Sequence, residues 1–281
     1  ILSYITNTPL RAASVLFIVT ALIVFIITAF WPQVSSFVLP NTTLGLYDKS
    51  FWENVLVEAH GLVFDIFVLG LVLIWMDTYR QKRESITRDL ESLWDLNTLT
   101  EEVYRKRKVN ILKRLNINKT YKIDVTDLTL SDKVKIKDIT FKNSGLFGLK
   151  FLDCRIFNLK IEHSKLNSAE FSDSIIKNSE ITDTYLKNAK FQSASLVGLN
   201  LTNSDLFRAK FIDADLEGAD LRGCNLKRTT FTGANLKNAN LRGCINLNYD
   251  ALIEAKCIDY IKADKCVLEE LKLRKPDMKV N

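Results

Sequence analysis

The sequence is poor in the residues from which most catalytic and metal sites are built. It contains two histidines, His60 and His163, and five cysteines, none in the CxxC or Cys/His spacing of a zinc site. No glycine-rich phosphate-binding loop and no Ser/His/Asp arrangement can be recognised. We therefore expect a protein that is not an enzyme and that needs no metal or cofactor.

Long apolar runs are missing from most of the chain, because nearly all of them fall within residues 12–76. The stretch from Ala12 to Trp31 is uncharged and, at 20 residues, matches the roughly 30 Å hydrocarbon core of a bilayer. A second apolar stretch runs from about Asn54 to Met76, with aromatic residues at both ends. Residues 1–76 are therefore predicted to form a two-pass transmembrane module embedded in the lipid bilayer.

The charges around the second stretch predict its orientation. Four basic residues follow it closely: Arg80, Lys82, Arg83 and Arg88. The loop over residues 33–53 carries a single lysine beside two acidic residues. The positive-inside rule then places both termini in the cytoplasm and the loop outside. We expect a multi-pass protein of the bacterial inner membrane with a cytoplasmic C-terminal region.

The second stretch also contains polar residues. Glu58 and Asp65 are seven positions apart, so they lie within about 20° of each other on a helix, with Gly61 between them. These residues predict either carboxylate rings along a cation pathway in a homo-oligomer, or an interfacial Glu58 with a buried helix-packing partner for Asp65. His60 lies on another side, where it would meet the first helix or a lipid headgroup.

Residues 77–119 have the spacing of amphipathic helices and form a predicted cytoplasmic connector. Thr98 and Glu101 resemble a capping box, which predicts a helix break near Asn97. A basic cluster follows, made of Arg105, Lys106, Arg107 and Lys108. Such a cluster suits anionic headgroups or an anionic ligand, but the neighbouring glutamates favour a solvated helix face near the membrane.

A repeat occupies the second half of the chain. From Ile136 to Leu241, every fifth residue is Ile, Leu or Phe, in 22 consecutive positions. A period of five fits neither an α-helix nor an ordinary strand. A small residue usually stands two positions before each of them, so that the pattern is A(D/N)LXX, as in Ala214-Asp215-Leu216-Glu217-Gly218.

This pattern resembles the pentapeptide-repeat family. The resemblance implies a right-handed quadrilateral β-helix with four pentapeptides per coil and the central Leu or Phe stacked inside. The predicted fold class is therefore an α-helical membrane module joined to an all-β solenoid of roughly five and a half coils. We predict the β-helix for residues 120–248 and a C-terminal helical cap and tail for residues 249–281.

Both ends of such a rod need caps, because an open edge would add further strands. We expect the caps in residues 120–135, where the repeat register is lost, and in a helix over residues 249–255. Leu149, Leu159 and Leu199 place large residues where small ones are usual. They predict a bulged or wider coil.

Positions twenty residues apart should share one face of the rod. On the face that contains Leu166, Leu186, Leu206 and Leu226, the outward residues are mostly cationic or aromatic: Lys165, Tyr185, Lys187, Phe207, Arg208, Lys227 and Arg228. Cations between aromatic rings suit a nucleotide or a single-stranded oligonucleotide. The alternative is a solvated face on which the aromatic residues contact another subunit.

Some pentapeptide-repeat proteins mimic duplex DNA with an acidic rod. From Thr120 onward, this chain has 26 Lys and Arg against 22 Asp and Glu, which leaves a net charge of 26 − 22 = +4. Mimicry of duplex DNA is therefore not expected here.

Two hypotheses for function follow from this organisation. The first is an oligomeric membrane effector or ion channel whose rod senses a ligand or partner, a layout similar to membrane-disrupting effectors of bacterial antiphage defence. The second is a membrane-anchored scaffold whose rod recruits a protein partner without conduction. Substitution of Asp65 should change ion flux under the first hypothesis and have no effect under the second.

Overall fold

The computed structural model describes residues 9–38 and 49–280, so part of the predicted external loop lies outside the described residues. Contacts divide the chain into two compact units, one ending at Ser85 and the other beginning at Ile86. The division lies within one continuous helix and beyond Asp77, where the composition of the sequence changes.

The first unit is helical. Helix α1 spans Pro9–Ala29, helix α2 spans Trp31–Val38, and helix α3 spans Lys49–Leu96, with its end in the second unit. Helices α1 and α3 meet at Phe17 and Phe67, whose ring centroids are 4.6 Å apart. Most other apolar side chains described in this unit are exposed.

The two predicted spans differ in the support that they receive. Within the described residues, α3 is the one helix long and apolar enough to cross a membrane, and none of its most apolar window is buried. For α1, the apolar stretch found within the described residues is Phe17–Ala29, inside a helix of 21 residues. Length and composition therefore support a span in α3, and α1 has the length of the first predicted span.

Helices close the N-terminal end of the second unit. Helix α3 ends at Leu96 and helix α4 spans Glu102–Ile117, so the predicted break near Asn97 is confirmed. The predicted capping box is wrong, because the N-cap of α4 is Glu101 and its side chain makes no capping hydrogen bond. Three residues of α4 are fully buried in the core that it shares with the rod: Ile111, Leu112 and Leu115.

Parallel β-ladders build the rod. The described residues contain eight short strands: β1 Thr129–Leu130, β2 Lys135–Lys137, β3 Thr140–Lys142, β4 Lys150–Phe151, β5 Arg155–Phe157, β6 Lys160–Glu162, β7 Ile175–Lys177 and β8 Glu180–Thr182. Ile136 pairs with Ile156, and Ile156 pairs with Ile176. Isolated parallel bridges continue the ladders to residue 262. Because partners stand twenty positions apart, each coil contains four pentapeptides, as the repeat predicts.

The central residue of each pentapeptide points into the rod. All 22 of them, from Ile136 to Leu241, are at most 2% exposed. Phenylalanines form one column, and the ring centroids of successive residues are 4.8–5.8 Å apart: Phe151, Phe171, Phe191, Phe211 and Phe231. Stacking of coils therefore supplies a hydrophobic core that a single coil could not form.

The large residues predicted to widen a coil do not do so. Leu149, Leu159 and Leu199 are buried, and the residues that follow them keep the spacing of twenty, as Asn200 with Asp220 shows. The prediction of a bulge at these positions is therefore wrong. The interior of the rod accommodates these three leucines without a change of register.

The irregularity lies in the first coil instead. Leu130 pairs with Phe151, twenty-one positions later, whereas Ile136 pairs with Ile156, twenty positions later. One extra residue therefore lies between Leu130 and Ile136. Two successive residues there, Asp132 and Lys133, have the left-handed conformation, with φ of 58° and 60°, which is the backbone signature of a local bulge.

The last coil is longer by two residues. Asn235 pairs with Cys257, twenty-two positions later. The additional length accommodates helix α5, Tyr249–Ile253, whose N-cap Asn248 accepts hydrogen bonds from Asp250 N and Ala251 N. The predicted helix at this position is confirmed, but the ladder continues beyond it. A final helix, α6, spans Lys265–Arg274 and buries two apolar residues, Val267 and Leu271.

Candidate functional site: the Leu146 face and its cleft

The register brings the predicted outward residues onto one side of the rod. We call this side the Leu146 face, after its inward residues Leu146, Leu166, Leu186, Leu206 and Leu226. Lys165 pairs with Tyr185, and Tyr185 pairs with Asp205, so that one column of the face carries them in successive coils. The neighbouring columns carry the remaining predicted residues: Lys187, Phe207, Arg208, Lys227 and Arg228.

Cations and aromatic rings contact each other on this face. The Arg208 guanidinium lies 5.0 Å from the centroid of the Phe207 ring. Lys187 Nζ lies 6.0 Å from the centroid of the Tyr185 ring and 3.4 Å from Asp205 Oδ2. By contrast, three basic side chains form no ion pair with the described residues: Lys165, Lys227 and Arg228. The face therefore offers aromatic surface and unpaired positive charge together.

Backbone conformation marks the same face. Two residues after each central residue, the backbone turns a corner with a positive φ. Between residues 136 and 243 these corner residues are Asn, Asp, Ser or Gly, which tolerate this conformation. His163 also stands at such a corner, with φ of 49°, and histidine is enriched in this conformation. The exceptions are Arg208 and Arg228, with φ of 56° and 59°. Both lie on a corner that borders the Leu146 face, which supports this face as the candidate for function.

A cleft of about 410 Å³ lies at the N-terminal end of the face. Its lining includes Trp94 from the end of α3, Phe147 and Lys165 from the face, and Lys122 and His163 beside them. Sequence reasoning missed this cleft. Phe147 could have been found, because it precedes Phe207 by three full coils, but Trp94 belongs to a helix in which the five-residue period is absent.

The predicted basic cluster of α4 does not form a single surface. Arg105 Nη1 donates hydrogen bonds to Thr100 O and, at 2.6 Å, to Asp132 Oδ2. Lys106 Nζ lies 2.5 Å from Glu102 Oε1, one helical turn away. These pairings neutralise two of the four positive charges that the sequence placed together.

Lys108 is the residue of this cluster that differs most from expectation. It is fully buried and donates hydrogen bonds to Asn97 O at 3.1 Å and to Thr129 O at 2.5 Å. Burial and the nearby Arg105 charge lower the pKa of Lys108 to about 8. Arg107 is exposed and forms no ion pair with the described residues. The prediction of a membrane-facing cluster is therefore wrong for Lys108, which is a structural residue of the cap.

In α3, the acidic stripe, defined as Glu58, Gly61 and Asp65, is exposed. At about 100° per residue, it lies on the side of the helix opposite His60 and Phe67. His60 faces α1, with Nε2 3.5 Å from Thr28 Oγ1 and Nδ1 2.7 Å from Leu56 O. A Cβ atom added to Gly61 would have no neighbour within 4 Å. The acidic stripe thus points away from α1.

Among the described residues, no cluster of metal ligands marks a further centre, and the thiols inside the rod are unreactive. In the parts of the chain that the structure describes, no three His, Cys, Asp or Glu residues are grouped as metal ligands. The cysteines are free thiols. Burial raises the pKa of Cys154, Cys224 and Cys244 to about 12, so that these three remain protonated near neutral pH.

Comparison with known proteins agrees with this fold. The family model described as pentapeptide repeats matches residues 184–223 and 209–245, in eight copies. The resemblance found in the sequence is therefore confirmed, and residues 184–245 carry pentapeptide repeats. Proteins with such repeats are mostly structural or interaction proteins rather than enzymes. No curated protein matches the chain significantly.

Several solved pentapeptide-repeat structures are similar to this chain. A trypsin-treated variant of QnrB1, a plasmid-mediated fluoroquinolone resistance protein, is 16% identical over 57% of this chain and 80% of its own, with a TM-score of 0.39. Rfr23 from the cyanobacterium Cyanothece 51142 is 20% identical over 56% of this chain and 95% of its own, with a TM-score of 0.23. HetL from the cyanobacterium Nostoc is involved in the regulation of heterocyst differentiation. It is 22% identical over 48% of this chain and 68% of its own, with a TM-score of 0.20. Similarity at this level does not transfer a function to this chain.

Proposed function

We propose that the chain forms a homo-oligomer in a membrane, that its α3 helices line a cation pathway, and that its rod binds a regulatory ligand or partner. The acidic stripe of α3 carries this proposal. Neither Glu58 nor Asp65 forms an ion pair or a side-chain hydrogen bond with the described residues. An ionised group in hydrocarbon costs at least about 2.5–3.5 kcal/mol, so these carboxylates need water or another subunit beside them.

The position of the acidic stripe also supports assembly. A bundle made from α1 and α3 of one chain is too small to enclose water, and the acidic stripe points away from α1. Several copies of α3 that face a common axis would bring their carboxylates into rings, which is the arrangement by which cation channels select positive ions. Gly61 between the carboxylates would allow close approach of neighbouring helices.

The distribution of charge supports the proposed location. We place α3 in the bacterial inner membrane with the rod in the cytoplasm, because Arg80, Lys82 and Arg83 follow the apolar stretch. A membrane effector of bacterial antiphage defence would have this layout, and the layout is our sole reason for proposing that setting. No enzymatic step is part of the proposed function.

The test combines assembly with conduction. The full-length chain is reconstituted in nanodiscs for native mass spectrometry and in planar bilayers for electrophysiology. We expect a ring of several subunits and a cation-selective current. Asp65→Asn should shift the reversal potential under a salt gradient toward zero, which indicates a loss of cation selectivity. The amount of protein in the membrane should stay unchanged. Asp95→Asn, an exposed acidic residue at the cytoplasmic end of α3, is the matched control and should leave the current unchanged.

Two results would contradict the channel. One is a protein that stays monomeric or dimeric in nanodiscs. The other is a current, or a toxicity on expression, that Asp65→Asn does not alter. Either result would favour a membrane-anchored scaffold, whose function should then depend on the Leu146 face, for example on Phe207 and Arg208.

A further inference from the structure

The cleft at the end of the Leu146 face combines two kinds of side chain. Trp94 and Phe147 are 47% and 39% exposed, so each presents aromatic surface to solvent. Lys122 and Lys165 line the same cleft. Aromatic rings stack on nucleobases, and lysine ammonium groups bind phosphate. The side chains therefore match the two halves of a nucleotide.

Hydrogen bonds hold the wall that carries Trp94 in place. Asn97, three residues after Trp94, donates from Nδ2 to Thr126 O at 3.0 Å, and its carbonyl oxygen accepts from Thr129 N at 2.8 Å. The buried ammonium of Lys108 donates to the same carbonyl oxygen at 3.1 Å. The end of α3 is thus fixed against the first coil, and a ligand would not have to order this wall on binding.

The wall that carries Phe147 is open because residue 145 has no side chain. Gly145 occupies the column in which Lys165 and Tyr185 follow in the next coils. Its N–H donates to Asp124 Oδ1 at 2.6 Å. A Cβ atom at this position would lie 3.6 Å from Phe147 Cε2 and 3.1 Å from Asp124 Oδ1. The glycine therefore exposes the ring of Phe147 to the cleft, and the Asp124 carboxylate is bound at its rim.

We propose that this cleft binds a nucleotide, with the base against Trp94 and Phe147 and the phosphate on Lys122 and Lys165. Its volume of about 410 Å³ lies within the range of small-molecule sites. The inference deepens the ligand-sensing role of the rod and so rests on the proposed function. Because Trp94 belongs to α3, the ligand would contact the helix that also carries the acidic stripe.

Binding to the full-length chain in nanodiscs of zwitterionic lipid tests this assignment. Isothermal titration calorimetry would compare AMP, GMP, CMP and UMP with adenosine and with inorganic phosphate. We expect at least one mononucleotide to bind at least about tenfold more tightly than adenosine or phosphate alone, since each of these supplies half of the contacts. Failure of all four mononucleotides to bind overturns the proposal. Phosphate that binds as tightly as the nucleotides also overturns it, since the site would not recognise a base.

Variants then locate the site. Trp94→Ala and Lys122→Gln should each weaken nucleotide binding about tenfold, and both side chains are exposed, so the melting temperature should not change. Lys256→Gln, an exposed lysine at the other end of the rod, is the matched control. Phe207→Ala should also leave binding unchanged. Binding that depends on Phe207 but not on Trp94 would place the ligand elsewhere on the face and overturn the proposal. These measurements need no current, so their failure is distinguishable from failure of the channel.

Discussion

In the rod, the central side chains from Ile136 to Leu241 are at most 2% exposed, whereas Leu62, Phe64 and Leu69 of α3 are each exposed by 60% or more. Successive coils of the rod belong to the same chain, and each coil buries the apolar surface of the next. Helix α3 satisfies its backbone internally, but most apolar side chains of its first-unit part are exposed in the described structure. The rod therefore builds its hydrophobic core from its own sequence, whereas the helical unit leaves most of its described apolar surface uncovered.

Removal of one ring from the phenylalanine column should have the largest effect on the rod. Phe191 is buried between Phe171 and Phe211, with ring centroids 5.1 and 4.8 Å away. Phe191→Ala should lower the free energy of unfolding of the rod by about 3–5 kcal/mol, because the cavity cannot collapse between two fixed coils. Urea unfolding followed by circular dichroism would measure the change.

Phe25→Ala in α1 is the matched control for this substitution. The Phe25 side chain is 66% exposed in the structure, so its truncation should leave the urea midpoint of the rod unchanged. If Phe25→Ala destabilised the rod as much as Phe191→Ala, the stability of the rod would depend on the helical unit, and the contrast between the two units would fail.

A smaller effect should appear at the cap, where Lys108 is buried. The pKa of Lys108 is about 8 in the folded chain, against an ordinary value of 10.5. The unfolded chain therefore holds this proton more tightly, so the free energy of unfolding should rise with pH between 8 and 10.5. The rise is at most about 3 kcal/mol. Below pH 8 the cost of the buried charge is fully present.

Lys108→Met should remove this rise, and Lys106→Met, at an exposed lysine of the same helix, should keep it. The raised pKa of the buried cysteines acts in the opposite direction above pH 9, but equally in both variants. The difference between the two denaturation curves is therefore the measurement. Parallel pH profiles for both variants would show that the Lys108 ammonium is hydrated.

The smallest effect concerns reactivity rather than stability. Cys154 and Cys224 are buried in the rod, whereas Cys266 is exposed. In native buffer at pH 8, a maleimide should label Cys266 within minutes and leave Cys154 and Cys224 unlabelled until urea opens the coils. Cys266→Ser should remove most of the fast labelling, because the remaining accessible thiols, Cys244 and Cys257, are only partly exposed. Fast labelling of Cys224 would reveal local opening of the coils and weaken the contrast between the two units.

The sequence predicted the parts of the molecule that repeat. A period of five residues identified every inward position from Ile136 to Leu241, and the spacing of twenty placed Tyr185 and Phe207 on one face. Neither signal reaches the cap. Lys108 stands in a run of basic residues, and its burial depends on two carbonyl groups that are distant in sequence.

The cleft could not be predicted from the sequence for a similar reason. Trp94 and Phe147 belong to elements of different period, and no pattern within either element aligns one with the other. At Leu149 and Leu199 the sequence predicted too much. Their size suggested a bulge, but the interior of the rod holds both side chains in regular register. Pairwise contacts between unlike elements, and the room left between stacked coils, are properties of the assembled structure.

The four-pentapeptide coil also sets a rule for how this rod can change in length over evolution. Deletion of one whole coil would shorten the rod by the height of one coil and leave every later side chain on its original face. Deletion of a single pentapeptide would rotate everything downstream by a quarter turn, so that Phe207 and Arg208 would leave the face that they share with Phe147. Lineages that rely on one face of such a rod should therefore gain and lose sequence in whole coils, and those that do not should tolerate single pentapeptides.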